Sequence, residues 1–446
     1  MPHFTRRFRQ QAAPISERRY AIPLILITSL FFLWALGVNL NDILIPQFKK
    51  AFQLSDKASS LVQFAFFGGY FLAAIPAGKL MERIGYKKGL LFGLFVCALG
   101  AFLFIPAASA QAYLFFLFAL FVMAFGQGFL ETGANPYVTL LGPPESSERR
   151  LNLAQSFNAV GAFVTPYIGK AFILTSVGYS AEQLSAMTPA QLQAYSGSLA
   201  ARVKMPYLAI TAVFVFVFVL IFFAKLPEIR QHPAAGEADI PEPDVRLSGV
   251  LAHKHLVKGV LAQFLYVGAQ VGVTSFIIRL AEHTLPGTSD VAAANYLWWH
   301  LLGFMVGRFA GSAMMKQIAP PRLLAIFAAA SFVCALISIV TTGAIPIWAV
   351  VFVGFFHSIM FPTIFALSIK NLGPYTKLGS SLQVMAIIGG ALFPLVMGLV
   401  SDHSNIQRAF IVPLACYAYV LYFAAQGYKP AVSFSETAAA GATRSA

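Results

Sequence analysis

The amino-acid sequence predicts an all-α integral membrane protein, with twelve transmembrane helices in two pseudo-symmetric six-helix bundles. Three observations carry that prediction. Only 11% of the residues are charged, where a soluble domain carries roughly 25%. Mean hydropathy is +0.72, and the apolar residues gather into runs of about 20, enough at ~1.5 Å per residue to cross a hydrocarbon core of roughly 30 Å. The basic residues fall predominantly in alternate connections between those runs, as the positive-inside rule requires.

The runs lie near 21–46, 59–80, 89–107, 112–141, 151–175, 205–224, 256–282, 291–315, 323–341, 345–369, 379–400 and 408–427. The first follows a basic tail (residues 1–20). It is too long for a signal-peptide apolar region and is read as a membrane helix. The first six runs form an N-terminal bundle over 21–224. Residues 225–250, rich in Pro, Glu and Asp and without apolar periodicity, read as a cytoplasmic linker. The remaining six runs form a C-terminal bundle over 251–428, and 429–446 is a second cytoplasmic tail. A polar stretch over 176–204 follows the fifth run on the outer side and suits short amphipathic helices.

With the N-terminus inside, the inner segments hold 23 of the 31 Lys and Arg and the outer segments six. That count includes Arg308, placed with Lys316 and Arg322 around the loop after the eighth run. The net charge of +14 is spread over many loops and not over one face, which excludes a nucleic-acid partner. The distribution places both termini in the cytoplasm; a bacterial inner membrane is the expected location.

The halves echo each other. Gln155, Gly161 and Pro166 in the fifth run have the spacing of Gln383, Gly389 and Pro394 in the eleventh. Small residues followed by basic ones close both the second run (GKLMERIGYKKG) and the eighth (GRFAGSAMMKQIAPPR). A duplicated six-helix unit places a solute site between the halves near mid-membrane. No P-loop, dinucleotide fingerprint, HExxH or GxSxG occurs, so enzyme chemistry has no home here. Cys97, Cys334 and Cys416 each fall in a run without metal spacing, so neither a cofactor nor a metal site is expected.

Two acids interrupt these runs: Asp42 in the first and Glu131 in the fourth. A carboxylate in hydrocarbon costs at least ~2.5 kcal/mol, so both are expected to face a hydrated cavity and serve function. Asn39 shares a helix face with Asp42, and Gln127 and Asn135 lie in line with Glu131. Gln155 and Asn158 pair on the fifth run, and Gln263, Tyr266 and Gln270 line the seventh. Asn295 opens the eighth. Amides, carboxylates and an aromatic ring converging from several helices suit a polyhydroxylated solute. Candidate solute contacts are therefore Asn39, Glu131, Gln155, Asn158, Gln263, Gln270 and Asn295. Asn158 aligns with Ala386, and no acid of the second half lies as deep, so proton coupling is expected mainly in the first half. Glu82, Arg83 and Lys87 read as a gating charge cluster. His300 and His357 read as hydrogen-bonded packing residues, and Arg279 as a snorkelling side chain.

The segment GKLMERIGYKKG resembles the signature of the major facilitator superfamily. NLNDILIPQF, GFLETGANPYVTLLGP, RLNLAQSFNAVGA, LAQFLYVGAQ and PTIFALSIKNLG resemble the fucose permease family of sugar:proton symporters, from about Leu30 to Ser401. The resemblance implies an alternating-access carrier of a neutral monosaccharide, with Asp42 and Glu131 as the protonatable pair and Asn39, Gln155 and Asn158 beside the sugar. The chain departs from the family pattern at Thr274 and Phe276, where a Trp and a Tyr are expected, and at Met360 and Phe361, where Gln-Tyr is expected. The resemblance thus carries the mechanism further than it carries fucose; glucose and galactose are equally open. Sodium in place of the co-transported proton, and proton-driven export of small molecules, stay open as alternatives. A monomer embedded in the lipid bilayer is expected.

Overall fold

A computed structural model describes residues 20–52, 56–172, 187–227, 247–288 and 290–430, except for the side chains of 41–51, 56–60, 166, 169–172, 290 and 291. The described residues are almost entirely helical. In the first half they form α1 (Ala21–Ala51), α2 (Asp56–Ala110), α3 (Tyr113–Leu140), α4 (Ser147–Phe172), a short α5 (Pro189–Ala201) and α6 (Lys204–Phe223). The second half begins with α7 (Lys254–Thr284), α8 (Asp290–Met314) and α9 (Pro320–Val340). It continues with α10 (Ile345–His357), α11 (Met360–Ile369), α12 (Thr376–Met385), α13 (Gly389–His403) and α14 (Ile411–Tyr422).

Nine helical stretches among the described residues are long and apolar enough to cross a membrane. The stretch Leu61–Ala110 holds two crossings, because Gly85, at φ 82°, turns the chain back on itself. That left-handed conformation suits glycine and strains other residues. With α4 and α8, whose polar faces lower their hydropathy, the rods accommodate the twelve runs of the sequence. Two of these crossings are broken. α10 stops at His357 and α11 starts at Met360, because Pro362 has no N–H for the Ser358 carbonyl. A 3-10 turn over Ala386–Ile388 separates α12 from α13.

Close packing of small residues draws helices together where hydrophobic transfer cannot, since lipid tails are as apolar as the side chains. Gly100 and Gly126 let the second arm of α2 run against α3: a methyl on either would meet the backbone of Met123 or Cys97. Phe104 and Tyr207 stack at 3.8 Å and tie α2 to α6.

The two halves meet along a seam. Gly78 of α2 abuts Ser381 of α12, and Lys377 lies 5.2 Å over the Tyr86 ring. Lys370 and Glu148 form an ion pair at 2.6 Å, and Asn152 donates to Thr363 Oγ1 at 3.1 Å. These contacts lie at one end of the bundle, the end carrying Lys79–Lys88, Arg149, Arg150, Lys370 and Lys377, which is here called the basic end. Further along, α4 and α8 stay in touch through Phe157 and Phe309 (6.5 Å), then Phe163 and Trp298 (5.9 Å). The Trp298 indole N–H donates to the Tyr167 hydroxyl at 3.0 Å.

Candidate functional site

Midway along the seam, polar side chains replace apolar ones. Glu131 lies nine residues from the end of α3, about 14 Å along the helix, and Gln155 eight residues into α4, about 12 Å. The two are at matching depth. Glu131 is 6% exposed and Gln155 3%. One turn from Glu131, Asn135 accepts a hydrogen bond from Gln155 Nε2 at 3.0 Å, which joins α3 to α4. On the far side of Glu131, Gln127 accepts from the Tyr70 hydroxyl at 3.4 Å. The predicted line Gln127–Glu131–Asn135 is therefore a real polar stripe, all of it buried.

The second half supplies a residue that the sequence reading misplaced. Arg308 is not a loop charge: it lies inside α8, 3% exposed, and turns toward the first half. Its Nη1 donates to both the backbone oxygen and the Oε1 of Gln155, each at 2.9 Å. Its guanidinium lies 4.8 Å over the Phe304 ring and in electrostatic range of Glu131 and Tyr266. The charge count at the basic end falls by one accordingly. The only sequence signal was its place one residue after Gly307, as Lys79 follows Gly78 in the matching unit.

The remaining candidates divide. Asn39 donates to Ala35 O of its own helix at 2.7 Å, and Asn158 donates to Phe31 O at 3.1 Å, so both are anchored on the α1 backbone with their side-chain carbonyls uncommitted. Gln263 is fully buried, and neither its oxygen nor its nitrogen has a partner. Gln270 is half-buried on the same face of α7. Gln383 of α12, singled out only for its repeat spacing, is likewise buried with both amide atoms unmatched. The Nε2 of Gln127 and the Nδ2 of Asn135 are unmatched too. Native interiors leave few such groups unpaired; this polar group, shared between the two halves, has hydrogen-bonding capacity for a polar guest.

Asn295 does not join this cluster. It is exposed and shares a groove with Gly287, Thr288, Tyr296, Trp299 and Trp348, on another face of α8 from Arg308. Asp42 lies on α1, but its side chain is outside the described residues. Tyr266 turns its hydroxyl to the His357 carbonyl at 2.8 Å, inside the second half.

The gating trio also divides. Glu82 is in electrostatic range of Lys377 across the seam, and Arg83 is exposed. Lys87 donates to the carbonyls of Phe222 and Ala224 at 2.9 and 2.8 Å, closing the end of α6 within its own half. Among the described residues, a direct ion pair across the seam joins Glu148 with Lys370, which the sequence reading did not single out. His300 and His357 are packing residues as expected, bonded to Val350 O at 3.0 Å and the Tyr417 hydroxyl at 2.6 Å. Among the described residues no group of His, Cys, Asp and Glu is arranged to hold a metal.

Residues 27–382 match the family described as Major Facilitator Superfamily. The chain belongs to the major facilitator superfamily. Within it, the chain falls with the fucose permeases. It is 45% identical to the L-fucose-proton symporter of Escherichia coli (strain K12), over 92% of this chain and 93% of that protein. It is 41% identical to a glucose/galactose transporter of Brucella abortus biovar 1 (strain 9-941), over 93% and 96%. The crystal structure of a major facilitator superfamily transporter, FucP, in the outward conformation superposes with a TM-score of 0.84 at 44% identity, covering 92% of this chain and 99% of that one. The superfamily and the two-bundle membrane fold read from the sequence are thus borne out.

Proposed function

We propose that this member of the superfamily imports a neutral hexose together with a proton by alternating access, across a bacterial inner membrane, with the basic end facing the cytoplasm. One observation carries the reading. Glu131 lies nearly buried at mid-depth beside amides of its own half and within electrostatic range of Arg308 from the other, in a chain whose relatives carry the names of fucose and of glucose/galactose carriers.

The chemistry follows from the residue types. Gln127, Asn135, Gln155 and Gln263 offer donors and acceptors to ring hydroxyls, and Asn39 and Asn158 offer their uncommitted carbonyls. Glu131 accepts strongly from a hydroxyl when ionised, and donates once protonated. Asp42 takes up the proton from the outer side and loses it inside, so no net charge crosses the closed state on an acid side chain. No cofactor is called for, and a single chain carries the whole pathway.

The test is uptake into proteoliposomes at fixed membrane potential, with either a pH gradient or a sodium gradient imposed. Accumulation of labelled fucose, glucose or galactose that follows the pH gradient supports the proposal. Accumulation that follows sodium transfers the coupling to sodium, and transport uphill out of the basic end makes the chain an exporter. Asp42→Asn is expected to keep counterflow and lose accumulation; loss of both, with sugar binding intact, would remove Asp42 from a role confined to the proton.

A further inference from the structure

Arg308 is a cation buried at the seam without a carboxylate bonded to it. Among the described residues its hydrogen-bond acceptors are the two oxygens of Gln155, both neutral and both on the other half. Its Nε has no acceptor among the described residues. Gln155 bonds on to Asn135, and Asn135 stands one helical turn from Glu131. A guanidinium taken out of water is costly unless an opposite charge compensates it, and Glu131 is the described carboxylate within its electrostatic range. Among the described residues, the other titratable groups facing the pair are Tyr266 of α7, beside Arg308, and Tyr70 of α2, beside Glu131.

The charge state of Glu131 therefore decides whether Arg308 is compensated. With Glu131 ionised, the pair is neutral overall and the closed seam at the basic end is favoured. With Glu131 protonated, the cation stands alone, held by one amide, and gains by reaching water. The nearest route to water is toward the basic end, because Arg308 lies only six residues, about 9 Å, from the end of α8 there. We propose that Arg308 is the positioning residue that converts protonation of Glu131 into opening of the seam at the basic end, through its exchange between Glu131 and Gln155. This rests on the proton-coupled reading above, and assigns the second half an active part in coupling that the sequence placed mainly in the first half.

The experiment compares wild-type protein with Arg308→Lys, Arg308→Met and Glu131→Gln in proteoliposomes, after thermal unfolding and gel filtration have shown that each is folded. Three quantities are read: sugar binding, counterflow against pH, and accumulation under a pH gradient. Arg308→Met is expected to bind sugar within about threefold of wild type, to lose its accumulation at least tenfold, and to show counterflow that no longer depends on pH. Arg308→Lys restores the pH dependence in part, since it keeps the charge and gives up the paired bonds to Gln155. Arg308→Met added to Glu131→Gln changes the pH response no further, because the two act on one step.

Arg308→Met with the wild-type pH profile and full accumulation overturns the proposal. So does a loss of sugar binding in Arg308→Met and Arg308→Lys alike, which would make Arg308 a substrate contact. A wild-type protein whose accumulation ignores pH defeats the proton-coupled reading itself, and is told apart from the other failures by the wild-type arm alone.

Discussion

Gln155 is the hinge-pin of the site at the level of single residues, since it holds Asn135 with its nitrogen and Arg308 with its oxygen. Gln155→Glu keeps the shape and places a carboxylate where Arg308 already bonds. A charge-assisted pair is roughly twice as strong as a neutral bond, so this variant is expected to unfold at a higher temperature and to transport at least tenfold more slowly. Fluorescence-monitored melting and initial uptake rates check both halves of that expectation. Glu131, Gln155, Asn39 and Asn158 were legible in the sequence because polar groups stand out against apolar runs. Arg308 was not. It falls inside the eighth run but only six residues before the end of α8, so it counts with the loop charges that follow, and its partner is 153 residues away in the chain. Asn295 failed for the opposite reason: it is polar and in a run, but periodicity alone does not say which face of α8 turns to the seam.

At the level of elements, the breaks in the second half show what a sequence can and cannot report. The gap at Ser358–Ile359 follows from the missing N–H of Pro362, which is plain in the sequence. What stabilises the gap was invisible: Tyr266 donates to the His357 carbonyl from α7, and Tyr417 of α14 bonds the His357 ring. Tyr266→Phe leaves that buried carbonyl without its side-chain donor, at a cost of about 1–3 kcal/mol. A lower melting temperature with little change in sugar affinity is expected, measured by thermal shift with and without sugar. Gly85→Ala forces a side chain into a left-handed turn between two long arms of α2. It is expected to destabilise by about 1 kcal/mol or more, and its melting midpoint in detergent checks this.

For the whole molecule, the pairing of two six-helix units was written in the repeated spacing of Gln155–Gly161–Pro166 and Gln383–Gly389–Pro394. Those residues share positions but not surroundings: Gln155 bridges the halves, whereas Gln383 is buried unmatched beside Gly259. The seam itself could not be read from the chain, because it joins residues that local pattern treats as independent. Its ion pair sets a further expectation. Glu148 is 2% exposed, so Lys370→Ala removes the directly bonded cation from a buried acid that keeps the hydroxyl of Ser147 and the electrostatic reach of Arg150. The closed arrangement at the basic end should lose about 1–3 kcal/mol. Faster alkylation of a cysteine placed at Thr363 in that variant is the readout, and an unchanged rate would show that the pair does not hold the halves together.

Lys370 is 40% exposed in this pair, so one of its charges already meets the aqueous phase. Mobile ions reach such a contact, since the screening length is only ~8 Å at 0.15 M ionic strength. The electrolyte on that single side of the membrane is thereby a control knob on the carrier's working cycle: concentrated potassium chloride there shortens the time the halves stay shut, while the same solution on the opposite side leaves it untouched.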